Sequence, residues 1–368
     1  MWINPEALPV PALAVCGFSG SGKTTLLRAL VERLSACYRI GYIKHDAHRF
    51  AMDHPGKDTD QLYRAGAEQV LINDGDHYAV VSRGGLRPGD AGRLLPDCDF
   101  LLVEGYKNSA LPKVVMLDDK GAILQAGIDN ILAVSGPVDP GPVGYRWIHR
   151  DRIDELAELI VEQVYARARR RPLHGLVLAG GHSRRMGRDK ALLDYHGVSQ
   201  VEHSLELLQP FCEDVRISVR RGQQPTGIDG NRLVEDAWPD MGPLGGVLAA
   251  MGRDTAAAWL VVACDMPLLD RETLAALLAA RDPLALATCF RGWRDGPEPL
   301  CAIYEPRCFP ALLGFMTSGG RSLRRFLEET GISPAEPPGA ETLVNINDPA
   351  GYKAVRQRLQ SSVNGGLG

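Results

Sequence analysis

Apolar positions along this chain fall into short runs of strand length, separated by longer stretches with helical spacing. Ala12–Cys16 is one such run, bounded at once by Gly17, and Arg39–Ile43 and the segment from Asp99 to Glu104 are two more. A helix is expected from about Gly22 to Leu34, and a polar loop with a short helix within Asp53–Ala67. Asp151 to Arg171 opens on an acidic residue and sets apolar side chains at 153, 156, 159 or 160, and 164, the period of a helix buried along one stripe. Pro172 cannot continue that helix, so a boundary between two domains, 1–170 and 171–368, is placed there. Beyond it, strand candidates are Leu176–Leu178, Val215–Val219, Trp259–Cys264, Leu284–Thr288, Leu300–Tyr304 and Leu343–Ile346. Helix candidates are Ser199–Leu208, Asp270–Arg281, Arg321–Glu329 and Asp348–Leu359, the last with Asp348 as cap and Pro349 in the first turn. Strand and helix in alternation predict an α/β fold, here a doubly wound, largely parallel sheet with helices on both faces. Ala335–Ala340 reads as a proline-rich loop and 361–368 as a flexible tail.

A length of 368 residues is ample for two cores, and 45% hydrophobic against 23% charged residues is an ordinary globular balance. With 41 cationic and 45 acidic side chains, the net charge of −4 gives no footprint for general nucleic-acid binding. The eight cysteines form no Cys-x-x-Cys pair, and Cys16 and Cys264 lie inside apolar runs, which suits reduced core thiols. The start of the chain lacks a basic stretch followed by an apolar one, and no apolar run reaches membrane-spanning length. A cytoplasmic protein with no membrane partner is expected.

The chemistry is concentrated where strands end. After Ala12–Cys16 comes Gly17-Phe-Ser19-Gly20-Ser21-Gly22-Lys23-Thr24-Thr25, the phosphate-binding loop pattern in its strand-then-helix setting. Backbone N–H groups of residues 19 to 24 would wrap a β-phosphate, Lys23 would reach the β- and γ-oxygens, and the Thr24 hydroxyl would ligate Mg²⁺. Lys44-His45-Asp46-Ala47-His48 leaves the next strand, and Asp46 is a candidate for Mg²⁺ or nucleotide handling. Zinc on the two histidines is disfavoured, because no cysteine or third histidine completes a ligand set. Glu104, at the end of a buried run, is the acidic partner of the phosphate loop, or merely a charged residue ending a strand.

A second constellation begins at Leu178-Ala179-Gly180-Gly181-His-Ser-Arg184-Arg185-Met-Gly-Arg188-Asp-Lys190. Glycines let the main chain approach a ligand, and the cations around them suit a triphosphate whose charge must be neutralised before a nucleophile reaches the α-phosphorus. Asp236 precedes a second glycine-rich turn, Gly242-Pro-Leu-Gly245-Gly246; it has two uses, acceptor for a base or ribose, or cap of the next helix. Asp265 ends the buried run from Trp259, and is read as a Mg²⁺ ligand against a helix-cap alternative. Asn345 and Asn347 would share one face of a strand end, by period two, as ligands of Mg²⁺ or its waters, unless Asn345 only orders a turn.

The stretch from Leu178 to Lys190 resembles the signature loop of the molybdenum cofactor guanylyltransferases, and the resemblance runs from about Pro172 to Tyr352. It implies a Rossmann-like nucleotidyltransferase domain that moves GMP from GTP to molybdopterin with Mg²⁺, releasing pyrophosphate. By the same resemblance Lys190 and Arg184 serve the triphosphate, Asp236 the nucleoside and Asp265 the metal. Arg321, Asn345 and Asn347 line the pterin and metal side, where Arg324 or Arg325 could replace Arg321. The first half resembles the nucleotide-binding adapter protein of molybdopterin-guanine dinucleotide synthesis, through the phosphate loop, Lys44-His45-Asp46, Gly56-Lys57-Asp58-Thr59, Arg64-Ala65-Gly66-Ala67 and Glu104-Gly105. That implies a P-loop NTPase-like domain that binds GTP, hydrolyses it slowly if at all, and dimerises. It assists the transferase without being needed for its chemistry. A molybdenum insertase and molybdoenzyme chaperones are the implied protein partners. The rival activities are transfer to another acceptor, as in cytidylyl or sugar-phosphate transferases, and a GTP-binding cofactor carrier without catalysis.

Overall fold

A computed structural model describes residues 10–44, 56–84, 94–95, 97–118, 121–180, 190–223, 228–292 and 295–365. The chain divides into two compact units, essentially 12–160 and 161–368, the division falling within helix α3 (Ile153–Arg169). Each is an α/β unit with its own sheet.

In the first unit six strands lie parallel in the order β2-β5-β1-β6-β7-β8: β2 (Ile40–Lys44), β5 (Phe100–Glu104), β1 (Ala12–Cys16), β6 (Lys113–Met116), β7 (Ile131–Gly136) and β8 (Trp147–His149). β1 and β5 are buried at every position, which is why they read as unbroken apolar runs rather than as alternation. Helix α1 (Lys23–Leu34) follows β1 and buries Leu26, Leu27, Leu30 and Leu34, a 3.6-residue stripe. Between β2 and β5 the chain adds the short helix expected there, α2 (Asp58–Ala65), and an antiparallel hairpin of β3 (Gln69–Asn73) and β4 (Tyr78–Ser82), which the apolar pattern does not announce. Leu71, Ile72 and Tyr78 on that hairpin are 61, 58 and 72% exposed.

The second unit orders its strands β11-β10-β9-β12-β14-β13. β9 (Leu173–Leu178), β10 (Asp214–Val219), β11 (Leu233–Glu235) and β12 (Ala258–Ala263) are parallel, whereas β14 (Pro297–Tyr304) runs antiparallel to both β12 and β13 (Ala287–Arg291). The sheet is therefore mixed, with its parallel part as expected. Period two divides its core. Val177, Leu260 and Val262 face helices α4 (Gln200–Leu208) and α6 (Arg271–Ala279), while Leu176, Trp259 and Val261 face α5 (Pro243–Arg253), α7 (Cys308–Thr317) and α8 (Leu323–Glu329). Helix α9 (Pro349–Gly365) begins with Asp348 Oδ1 accepting the N–H groups of Ala350 and Gly351.

Four expectations fail here. Helix α9 runs on to Gly365, through most of the segment read as a flexible tail. Leu343–Ile346 is no strand: Ala340–Leu343 forms a 3-10 turn, and Ile346 N–H makes a single bond to the Asp265 carbonyl at 2.8 Å instead of a ladder. The strand expected at Leu284–Thr288 begins at Ala287, because Asp282 Oδ1 takes Leu284 N–H into a turn, at 3.0 Å. The glycine-rich turn at 242–246 is the start of α5, with Pro243 in its first turn. Arg171, where the domain boundary was placed, packs into the second unit beside the fully buried Glu305. Burial lowers its guanidinium to a pKa of about 10.

Candidate functional sites

In the first unit the phosphate loop connects β1 to α1. Gly20 and Gly22 take φ of 78° and 89°, in the left-handed region that glycine alone enters cheaply, and Gly22 caps α1. Gly17 is excluded from carrying a side chain for a different reason: a Cβ there would stand 2.9 Å from the Met116 carbonyl oxygen and 2.6 Å from Ser21 Oγ. Ser19 is exposed, as are Thr24 and Thr25 on the first turn of α1. Lys23 Nζ donates to the Phe18 carbonyl at 2.8 Å, folding the lysine over its own loop.

Glu104, the last residue of β5 on the strand next to β1, is the hub of this site. Its Oε2 accepts from Thr24 Oγ1 at 3.1 Å and from Tyr42 OH at 2.8 Å, and its Oε1 lies 3.7 Å from Lys44 Nζ. Burial, then the bond to Glu104, raises the Tyr42 phenol above its ordinary range. The sequence pairs Glu104 with the loop; what it conceals is that Tyr42 and Lys44, from the neighbouring strand β2, converge on the same carboxylate. The hydroxyl and carboxylate together are a set of hard oxygen donors at the end of a phosphate loop, which fits Mg²⁺. Asp46 lies outside the described residues.

In the second unit a cavity of about 350 Å³ opens at the carboxyl ends of the parallel strands. That is where such sheets place ligands. Leu178, Ala179 and Gly180 from the end of β9 form its floor, Asp236 stands on one side, and Cys264 and Asp265 after β12 stand on the other. Asp236 is not a helix cap: its Oδ1 accepts Trp238 N–H at 2.9 Å, and α5 is capped by Gly242. Desolvation holds the Asp236 carboxyl above the usual range, opposed by that N–H. Nor does Asp265 cap a helix, since α6 is capped by Asp270, whose Oδ1 accepts Thr273 N–H at 2.8 Å. Asp265 is thus a carboxylate delivered to a cavity at a strand end, beside backbone that approaches closely, and an oxygen ligand of that kind fits Mg²⁺.

Gly245 does not line the cavity; it sits in α5 where a Cβ would stand 2.7 Å from Asp236 Oδ2 and 2.9 Å from its Cγ, so its bare backbone gives Asp236 its place. Gly246 does the same for Ser218, another cavity residue. Asn345 and Asn347 flank Ile346, whose N–H is tied to the Asp265 backbone carbonyl, so both stand on an irregular segment and not on one face of a strand. Asn345 is half-buried, and its Oδ1 has no hydrogen-bond partner among the described residues. Arg321 points its Nη1 at Met241 Sδ, 3.5 Å away, and is not among the residues of the cavity wall. Lys190 starts a 3-10 turn, Lys190–Leu192, and Gly181 and Arg184 lie outside the described residues.

Ser218, Arg220, Asp240 and Glu298 escaped the sequence reading. Asp240, with φ of 61°, lines the cavity at a backbone angle that a sequence does not disclose. Glu298 is 6% exposed. The β12–β14 register, which pairs Val262 with Cys301, carries it toward Asp265. Burial raises its carboxyl above the usual range; the Leu300 N–H, 3.0 Å from Oε1, and the charge of Arg324 oppose this, and Asp265 adds to it. The only signal for it was an acidic residue between two prolines ahead of an apolar run.

A phosphate-loop unit and a unit with a strand-end cavity holding three carboxylates make this a nucleotide-handling chain whose second half is a nucleotidyltransferase. Family models agree: residues 12–136 match "Molybdopterin guanine dinucleotide synthesis protein B" and residues 175–334 match "MobA-like NTP transferase domain". The molybdenum cofactor guanylyltransferase of Shewanella sp. (strain MR-4) is 32% identical over 199 residues, 52% of this chain and 97% of that protein. The molybdenum cofactor biosynthesis bifunctional protein of Synechocystis sp. is 33% identical over 183 residues, 49% of this chain, and the match spans only 53% of that relative's length. A crystal structure of Bacillus subtilis MobB is similar to 42% of the chain and covers 97% of its own, with 26% identity and a TM-score of 0.37. The chain belongs to the molybdenum cofactor guanylyltransferase family, with a MobB domain on the same polypeptide.

Proposed function

We propose that the second unit transfers GMP from GTP to the terminal phosphate of molybdopterin or its molybdenum-bearing form, and that the first unit is a GTP-binding adapter. The observation that carries this reading is the meeting of Ala179-Gly180, Asp236 and Asp265 on one cavity at the ends of β9, β11 and β12. An acceptor phosphate oxygen bonds to the α-phosphorus of GTP as the bond to the bridging oxygen breaks, and pyrophosphate leaves. The nucleophile is already an anion, so the chain needs no general base; its work is placement and charge neutralisation. Asp236 holds the nucleoside, the main chain at 179–180 packs against it, and Lys190 with Arg184 draws the triphosphate. Mg²⁺ held by Asp265 would neutralise phosphate oxygens and leave pyrophosphate a better leaving group. Asn345, Asn347 and Arg321 serve the acceptor side.

In the first unit, Lys23 and the N–H groups of the loop bind the phosphates, and Thr24 with Glu104 would hold a second Mg²⁺. Tyr42 and Lys44 keep Glu104 in place meanwhile. Dimerisation is assigned to this unit, and the exposed Leu71, Ile72 and Tyr78 of the β3–β4 hairpin support it, since an apolar two-stranded ribbon is marginal unless covered. Mass spectrometry of the product formed from GTP, Mg²⁺ and molybdopterin tests the reading. A dinucleotide with released pyrophosphate is expected. Unchanged GTP, or a product only when CTP or a sugar phosphate is supplied, overturns it.

A further inference from the structure

Arg220 immediately follows Val219, the last residue of β10, and lines the cavity on the Asp236 side, with β9 between it and the strand that leads to Asp265. Its backbone is fixed by the turn it opens. Arg220 N–H donates to Gln223 Oε1 at 3.3 Å, and its carbonyl accepts Gln223 N–H at 2.9 Å. The preceding carbonyl, of Val219, accepts Asp236 N–H at 2.9 Å, so the arginine and the aspartate are held in a set relation. Gly180 meets it from the floor. A Cβ at 180 would lie 3.3 Å from Arg220 N and 3.4 Å from Arg220 Cγ, tighter than an ordinary contact, so the missing methyl group decides where Arg220 can lie.

We infer that Arg220 reads the O6/N7 edge of guanine, and that Gly180 governs base choice through the place it leaves for Arg220. The inference rests on the guanylyl-transfer reading above. A guanidinium is a planar fork of donors, and guanine offers it two acceptors, O6 and N7, side by side on the edge where cytosine carries its amino group. Cytosine presents an amino donor in place of O6 and has no N7, so it would leave the fork unpaired in a partly desolvated site. The competing use of a cation here is to hold phosphate. Position speaks for the base: Arg220 sits with Asp236, across β9 from Asp265.

The test compares kcat/KM and competition binding for GTP, ITP and 2-aminopurine riboside triphosphate, which lacks the O6 acceptor, in the full-length chain and its variants. Lys23→Ala is present throughout, so that only the second unit binds nucleotide. Arg220→Ala and Arg220→Lys should each lower kcat/KM for GTP and ITP by roughly ten- to a hundredfold, the scale of one bidentate arginine contact to a base. The loss should lie in KM and Kd, with little change for the 2-aminopurine nucleotide. Gly180→Ala should show the same selectivity, and adding Arg220→Ala to it should cost less than the two single losses combined. Equal losses for all three nucleotides, or full recovery of GTP binding with lysine, would mean that Arg220 holds phosphate and would overturn the inference. A parent chain that turns over neither GTP nor ITP would instead overturn guanylyl transfer itself. Arg220 is exposed on a turn, so thermal melts of the variants should match the parent.

Discussion

Two glycines on helix α5, Gly245 and Gly252, separate the structural from the functional meaning of a small residue. In a helix interior Gly→Ala stabilises by roughly 1 kcal/mol when the methyl group fits. At Gly252 it fits: a Cβ would meet only the Phe309 ring, at 3.7 Å and 3.8 Å. At Gly245 it would stand 2.7 Å from Asp236 Oδ2 and 2.9 Å from Cγ, so the carboxylate must swing out of its place. Moving it breaks the 2.9 Å bond from Trp238 N–H, a charge-assisted bond of about 1.5–3 kcal/mol, which outweighs the gain in helix propensity. A GTP hydrogen bond to the displaced carboxylate would be lost as well, on a similar scale, or roughly ten- to a hundredfold in affinity. Thermal melts and GTP competition titrations of Gly245→Ala and Gly252→Ala, both in a Lys23→Ala background, measure the two effects separately. Gly252→Ala should melt at or above the parent temperature and bind normally. Gly245→Ala should melt lower and bind GTP weakly. If Gly245→Ala melts lower yet binds GTP as the parent does, Asp236 makes no nucleoside contact and its assignment is wrong.

Asp265→Asn should cut guanylyl transfer by roughly 10²–10³ at saturating GTP, the scale for losing one group aimed at developing charge; near-parent turnover removes it from the site. Lys23→Ala should abolish one of two GTP sites by equilibrium dialysis and leave transfer with purified substrates within about twofold of the parent; arrest of transfer by that change would mean one shared active site. His203 stacks on His196 with ring centroids 3.7 Å apart, and burial first, then the His196 charge, depress its pKa to about 4. The unfolded chain, with a histidine pKa near 6.5, therefore binds more protons than the native state between about pH 6.5 and 4. Stability should fall as pH drops through that window. Urea midpoints at pH 7 and pH 5 should differ less in His203→Gln than in the parent, and an unchanged difference would show that His203 does not carry the effect.

What the sequence disclosed about the fold follows from where the strands sit. β1, β5, β9 and β12 are central and covered on both faces, so burial imposes an apolar residue at nearly every position, and their ends mark the ligand side. That is why Glu104, Asp265 and the Ala179-Gly180 floor were legible, whereas Asp236, after the edge strand β11, was marked by the glycine-rich stretch that follows it. Direction was not. The apolar run Leu300–Tyr304 carries no mark that it runs antiparallel to β12, and only that reversal brings Glu298 to the Asp265 end of the sheet. Glycine misled in the opposite sense. Gly245 and Gly246 weaken α5 as a local pattern, so a turn was the natural inference from propensity, but the helix forms because its apolar face from Leu244 to Met251 is buried. Its glycines then let that helix press against Asp236 and Ser218 without side chains in the way. The same logic runs through Gly180 and Arg220. At each of these positions the informative fact is the atom a methyl group would strike, and that atom belongs to a different strand or loop. A single sequence can mark a glycine as special, but the carboxylate or guanidinium that needs the space becomes visible only when the parallel strands are laid side by side.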